Sequence, residues 1–310
     1  MQVIEGIANL SSPLKVGALT IGNFDGVHIG HQALLRKLVT IAEKVRAPTV
    51  VMTFAPHPME VLREEQPSLQ LFGRDDQIQR LTACGVNYLI IEPFTHDLAR
   101  LLPEVFIEHY IWRPFQPHTV LVGYDFVFGH QRSGNVERLA HWLRERGARV
   151  EQVAATRWGG EVVSSSRVRA CLAKAKMGEA RELLGRFYYM EGTIVPGAGR
   201  GRQMNLPTAN IPIPADRALV RSGVYATWTW LEDQCWPSVT NVGSGPTFAG
   251  AASEIRIETH ILKFSGDLYG QKVRIEFVDY LRPEVKFQNM EELRLQIQHD
   301  IQAAKRVLDV

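Results

Sequence analysis

Over the first half of the chain, short apolar runs alternate with amphipathic segments. The runs cover residues 17–21, 49–54, 86–91, 119–122 and 150–154. Between them Leu34, Leu38, Ile41 and Val45 recur at helical spacing, and Val136, Leu139 and Leu143 do so again. Strand-length runs alternating with helical stripes predict a parallel, doubly wound α/β domain, whose ligands belong beyond the C-terminal ends of its strands. After about Gly185 the pattern changes. Glycine and proline become frequent, and apolar side chains alternate: Val224, Ala226, Trp228 and Trp230 share one face, as do Ile255 and Ile257, then Val273, Ile275 and Phe277. Near the end, Met290, Leu293, Ile297, Ile301 and Leu308 line a helical stripe. This half predicts a small antiparallel β-barrel with a C-terminal helix. No internal repeat or low-complexity segment interrupts either half.

Composition narrows the setting. A length of 310 residues suits two ordinary domains, and 45% hydrophobic with 22% charged residues is the balance of a globular chain. A formal charge of +2 predicts no general affinity for nucleic acid or for an acidic membrane. Cys84, Cys171 and Cys235 are odd in number and form no CxxC pair, so neither a disulfide framework nor a cysteine zinc site is expected. The start of the chain lacks the basic stretch and apolar core of a signal peptide, and no apolar run reaches bilayer length. A cytoplasmic protein is the expectation, with weak self-association left open.

The chemistry concentrates where the first apolar run meets the first helical stripe, in "GNFDGVHIGHQALL" at 22–35. Gly22, Gly26 and Gly30 let the backbone turn tightly and present N–H groups to an anion, and a helix beginning near His31 adds its positive N-terminal end. Such a turn suits a phosphate. Taken alone, His28 and His31 also fit a structural reading in which they pack or cap the turn. A metal reading, a hydrolase using His28, His31 and His57, has no evident third ligand near the first two.

The larger pattern G-x-F-D-G-x-H-x-G-H resembles the HxGH signature of the nucleotidyltransferase superfamily. The likeness extends through "TFAPHP" at 53–58, "GYDFVFGHQRSG" at 123–134 and "SSSRVR" at 164–169. Together these resemble the adenylyltransferase module of bacterial bifunctional riboflavin kinase/FAD synthetases. In the second half, "GRGRQMNLPTANI" at 199–211 resembles the riboflavin kinase loop with its PTAN motif, and "NVGSGPTF", "ETHIL" and "DLYG" follow in the family's order. The resemblance covers essentially the whole chain. It departs at Asn205 and Leu206, where the family usually has Gly-Phe, and at Gly245, often a basic position.

The resemblance implies a Rossmann-like nucleotidyltransferase domain over residues 1–186 and a riboflavin kinase domain over 187–310. It implies ATP as co-substrate, Mg²⁺, and riboflavin, FMN and FAD as substrates and products, with no nucleic-acid or membrane partner. In the first domain it implies ATP contacts from Gly22, Phe24, Asp25, Gly26, His28 and His31, the two histidines acting on phosphate. Ser165, Ser166, Arg167 and Arg169 would form a second phosphate clamp, and Phe54, His57 and Asp125 would meet the flavin. In the second domain it implies nucleotide binding by Gly199, Gly201, Pro207, Thr208 and Asn210, with Thr208 and Asn210 on Mg²⁺ and Glu258 as the catalytic base. The alternative is a flavin- or nucleotide-binding regulator that has lost one or both activities, which the departures at Asn205, Leu206 and Gly245 would favour.

Overall fold

The computed structural model describes residues 1–62, 69–196, 207–244 and 255–310. Gly199, Gly201, Asn205, Leu206 and Gly245 lie outside the described residues. The chain divides into two compact units, 1–165 and 166–310.

The first unit is built on a six-stranded parallel sheet. Its strands are β1 (Gln2–Glu5), β2 (Ala18–Ile21), β3 (Thr49–Ala55), β4 (Tyr88–Pro93), β5 (Thr119–Gly123) and β6 (Arg149–Val153), in the spatial order β1-β4-β3-β2-β5-β6. Every pairing is parallel. Both faces are covered, which is why the strands read as continuous apolar runs rather than alternating ones. On one face Leu19, Val50, Ile90 and Val120 pack with Phe106, Ile111, Leu139 and Leu143. On the other, Ala18, Val51, Leu89 and Leu121 pack with Leu34, Leu35, Leu38 and Ala42 of the helix Ile29–Lys44. Val45 falls just past that helix and is exposed, Ala42 taking its place in the stripe. β1 escaped the sequence reading because an edge strand with only two half-buried side chains carries little apolar signal.

The chain steps outward from β2 to β3 to β4, then returns to the other side of β2 with β5. That reversal makes a switch point at the C-terminal ends of β2 and β5, where open α/β sheets bind ligands. The glycine and histidine turn follows β2 directly. Between β6 and the second unit, β7 (Arg157–Trp158) and β8 (Glu161–Val162) form a small hairpin.

The second unit holds the helices Ser165–Ala173, from its second residue on, and Met177–Leu184, then a barrel of β9 (Tyr188–Thr193), β10 (Ala209–Pro212), β11 (Gly223–Leu231), β12 (Gln234–Ser244), β13 (Ile255–Ile261) and β14 (Lys272–Arg282). The antiparallel order is β10-β13-β12-β11-β14-β9. An isolated bridge closes the ends, with Val195 N donating to Asn210 O at 2.9 Å. Tyr225, Val242, Ile257, Ile275 and Phe277 fill the interior together with a ladder of buried hydroxyls from Thr227, Thr229, Ser238, Thr240 and Thr259. The apolar row Val224, Ala226 and Trp228 faces outward and is covered by the C-terminal helix Met290–Leu308 through Ile301, Ala304 and Leu308. β11 is therefore buried on both faces, helix outside and barrel inside. Among the described residues, no helix is long and apolar enough to cross a membrane.

Candidate functional site

His28 is the N-cap of the helix Ile29–Lys44, and its Nδ1 accepts from the His31 backbone N–H at 3.2 Å. An Nδ1 that accepts carries no proton, so in the neutral ring the proton sits on Nε2 and points to whatever lies beyond the cap. The structural reading of this histidine and the functional one thus describe the same atom arrangement. The two imidazoles stack with centroids 3.7 Å apart and planes 11° from parallel, and the ring of Phe24 stands 5.0 Å from His31. Ring nitrogens bind a metal in the plane of the ring, so two rings stacked this closely do not converge on one ion. Among the described residues, no group of three or more His, Cys, Asp or Glu side chains is placed to hold a metal. Gly30 packs closely on the His28 ring, since a Cβ there would sit 3.1 Å from it and the ring would have to give by a few tenths of an ångström.

His31 Nδ1 is shut off from solvent and has no hydrogen-bond partner. Burial, reinforced by the neighbouring His28, holds the His31 imidazole well below its usual range, so it is neutral at pH 7. The loop that delivers both rings is unusual: Phe24 and Val27 have φ of 50° and 38°. A β-branched residue rarely takes such a conformation, and strain of this kind collects at functional sites.

Beside the turn lies a cleft lined by Asn23, Asp25, Gly26, Thr53, Phe54, His57, Phe72, Arg74, Asp76 and Gln77. It brings Asp25 and Gly26 together with Phe54 and His57. Phe54 is half-buried, edge-on to Phe94 at 5.6 Å, with one side left to the cleft. His57 Nδ1 accepts from Met59 N at 3.1 Å, which puts the proton on Nε2, 2.8 Å from the Asn23 amide. That pairing works with the Asn23 carbonyl oxygen facing the ring. The main-chain carbonyl of Asn23 accepts from Gln77 Nε2 at 2.8 Å. Asp25 Oδ1 accepts from Leu71 N at 2.9 Å and so anchors the far wall. Asp125 lies elsewhere, exposed in the turn after β5 and not on the cleft. Sequence reasoning passed over Asn23, Gln77 and Arg74. Asn23 stood inside the quoted motif, whereas the other two had no local signal.

Ser165 donates its hydroxyl to Asp25 O at 2.8 Å, tying the start of the clamp segment to the histidine loop. The second unit holds Ser166, Arg167 and Arg169. There Arg167 bonds Glu179 Oε1 through Nη2 at 2.7 Å and Nε at 3.3 Å. That hydrogen bond keeps the Glu179 carboxyl below its usual range.

In the barrel, Asn210 of β10 lies directly opposite Glu258 of β13. Directly paired residues of antiparallel strands point to the same face. Ala209, Ile211, Ile257 and Thr259 are the buried, inward residues, which leaves Asn210 and Glu258 together on the outer face. Thr208 precedes Asn210 by two positions, and Pro207 O accepts from His260 Nδ1 at 2.9 Å. His260 thereby pins the PTAN segment to the strand that carries Glu258, a role the sequence did not reveal. The oxygen donors of Thr208, Asn210 and Glu258 are of the hard type that Mg²⁺ takes.

A family model described as FAD synthetase matches residues 11–167, and one described as riboflavin kinase matches residues 184–308. The chain belongs to the bifunctional riboflavin kinase/FAD synthetase family. A protein of Haemophilus influenzae named bifunctional riboflavin kinase/FMN adenylyltransferase is 34% identical over 98% of both chains, and one of Escherichia coli K12 with the same name is 35% identical over 97% of this chain and 96% of its own. A crystal structure described as a macrolide-efflux protein of Streptococcus pneumoniae superposes with a TM-score of 0.90 at 28% identity, over 98% of this chain and 99% of that one. As a member of this family the chain is a transferase with a riboflavin kinase and an FMN adenylyltransferase activity.

Proposed function

We propose that the chain makes flavin cofactors in two ATP-dependent steps, using the residues assembled above. What supports this reading most directly is the match of both family models to one chain. In the kinase step the terminal ribityl hydroxyl of riboflavin attacks the γ-phosphorus of ATP, giving FMN and ADP. Glu258 takes the hydroxyl proton. Thr208 and Asn210 would hold Mg²⁺, which neutralises charge on the triphosphate. Gly199, Gly201 and Pro207 would contribute the nucleotide loop.

In the second step the FMN phosphate attacks the α-phosphorus of ATP, giving FAD and pyrophosphate. No covalent intermediate with the protein is needed, so the work is alignment and charge stabilisation. His28 Nε2–H donates to a phosphate oxygen, and the neutral His31 stacked beside it does the same with its protonated nitrogen. Gly22, Phe24, Asp25 and Gly26 shape the turn around the nucleotide. Phe54 and His57 meet the flavin in the cleft, and Asp125 would reach it from the turn after β5. Ser165 and Ser166 with Arg167 and Arg169 restrain the departing pyrophosphate, Arg167 exchanging its Glu179 partner for phosphate. Both steps consume ATP, which fits a cytoplasmic location.

Incubation with riboflavin, ATP and Mg²⁺, followed by chromatographic separation of flavins, tests the whole reading. FMN and FAD are both expected. FMN alone would remove the adenylyl step, and neither product would leave the flavin-binding regulator.

A further inference from the structure

Glu258 stands between two amides. Its direct partner on one side is Asn210 of β10 and on the other Asn241 of β12, so the three side chains form a row on the outer face of the barrel. Neighbouring strands are about 4.8 Å apart. The row does not end at Asn241, because its Nδ2 donates to Glu284 Oε1 at 3.2 Å. Glu284 comes from the segment after β14 and is brought here by a steric fit as well as by that bond. Its carboxylate lies over Gly243, in the space a Cβ at that position would occupy. Gly243 faces the same way as Asn241, two positions along β12, so any larger residue there would displace Glu284 from the row.

Polar residues on an outer strand face ordinarily do no more than meet water. Here Asn210 is buried, Asn241 is half-buried, and a glycine is shaped to a carboxylate that is otherwise exposed. The result is a line of four groups, amide, carboxylate, amide, carboxylate, with the candidate base in it. A chain of vicinal hydroxyls matches such a line, since each hydroxyl donates to a carboxylate or amide oxygen and accepts from an amide N–H.

We infer that Asn241 and Glu284 bind the hydroxyls of the ribityl chain of riboflavin, laying it along the row so that its terminal hydroxyl reaches Glu258. The inference rests on the kinase reading proposed above. It makes the two residues determinants of polyol recognition rather than participants in proton transfer.

Steady-state kinase assays on the full chain test it, with lumiflavin, a flavin lacking the ribityl chain, as competitive inhibitor. In Asn241→Ala and Glu284→Ala the KM for riboflavin should rise on the order of 10-fold, the usual consequence of losing a hydrogen bond to a charged or well-held group. The KM for ATP, the inhibition constant of lumiflavin and the rate of FAD formation from supplied FMN should not move. Glu284→Gln keeps an acceptor oxygen and should fall between Glu284→Ala and the unaltered protein. Equal weakening of riboflavin and lumiflavin would overturn the inference, since the damage would then be to the flavin pocket as a whole. A lower kcat with the riboflavin KM unchanged would also overturn it, making Asn241 a positioning residue for Glu258 alone. Full activity in all three variants overturns it while leaving the kinase reading intact, and an unaltered protein that makes no FMN defeats both.

Discussion

The stacked histidines combine a helix cap with the proposed phosphate contact, and substitutions can separate the two. His28→Ala removes both the helix cap, worth about 1 kcal/mol, and the proposed donor to phosphate. His28→Asn restores the cap, because asparagine is among the best N-cap residues, but offers no imidazole. The expected outcome is a urea-unfolding stability near that of the unaltered protein for His28→Asn and lower by about 1 kcal/mol for His28→Ala. FAD formation should fall about 10²- to 10³-fold in both, and FMN formation in neither. Rates that track stability across the pair would reduce His28 to a cap. For His31 the sign of the pH effect follows from its lowered pKa. The unfolded chain binds a proton at this residue near pH 6.5 and the folded chain only at lower pH, so the unfolded state holds more protons between those two values. Stability is then full above about pH 6.5 and declines as pH falls toward the folded pKa. Unfolding free energies at pH 7.5 and 5.5 should differ less in His31→Gln than in the unaltered protein. At this scale the HxGH string itself was legible in the sequence, together with the turn that carries it. The sequence did not show the positive φ of Phe24 and Val27 or the ring stacking, which leave no local compositional trace.

Among the elements, legibility followed burial. β2 to β5 were readable as apolar runs because helices cover both faces of the parallel sheet, and the stripe of helix Ile29–Lys44 was readable because one side meets that sheet. The barrel was harder, because Thr227, Thr229, Ser238, Thr240 and Thr259 place polar residues inside and satisfy them on one another. A run such as Tyr225 to Leu231 therefore shows its strongest apolar alternation on the outer face, where only the C-terminal helix explains it. Beyond that apolar contact, the helix is tied down by a fork that no local pattern disclosed. Arg282 at the end of β14 donates through Nε and Nη2 to the two oxygens of Asp300, at 2.8 and 2.7 Å, and Gln296 adds a third bond at 3.0 Å. Asp300 is only 4% exposed. Asp300→Ala would strand a mostly buried guanidinium, a change that costs about 3–5 kcal/mol when one partner of a buried pair is removed. The consequence should be confined to the barrel. After graded heating and return to 25 °C, riboflavin phosphorylation should be lost at temperatures where FAD synthesis from FMN survives. Parallel loss of both activities would mean that the two units unfold together.

For the whole molecule the open quantity is where one catalytic part ends. Compactness divides the chain after Ser165, whereas the family models end at 167 and resume at 184 and the motif order places the divide at 186. The disagreement concerns two helices, Ser165–Ala173 and Met177–Leu184. Packing assigns them to the second unit, where Leu172 O accepts from Arg221 N at 3.0 Å and Leu183 and Leu184 are fully buried. Chemistry assigns the first of them to the adenylyl step, if Arg167 and Arg169 hold pyrophosphate. Fragments ending at 165 and at 186 separate the two criteria. The longer keeps both arginines but exposes Leu172, Leu183 and Leu184, so it needs a check by gel filtration and circular dichroism before its rate is read. Given a folded fragment, residues 1–186 should convert FMN and ATP to FAD and should make no FMN from riboflavin. Residues 1–165 should be slower by at least about 10²-fold, the scale expected when oriented charge on a developing anion is removed. Equal rates from the two fragments would release Arg167 and Arg169 from the reaction and make the compact boundary the catalytic one. Inactivity of a folded 1–186 fragment would mean that residues of the barrel unit complete the adenylyl site, and that the two activities share more than a chain.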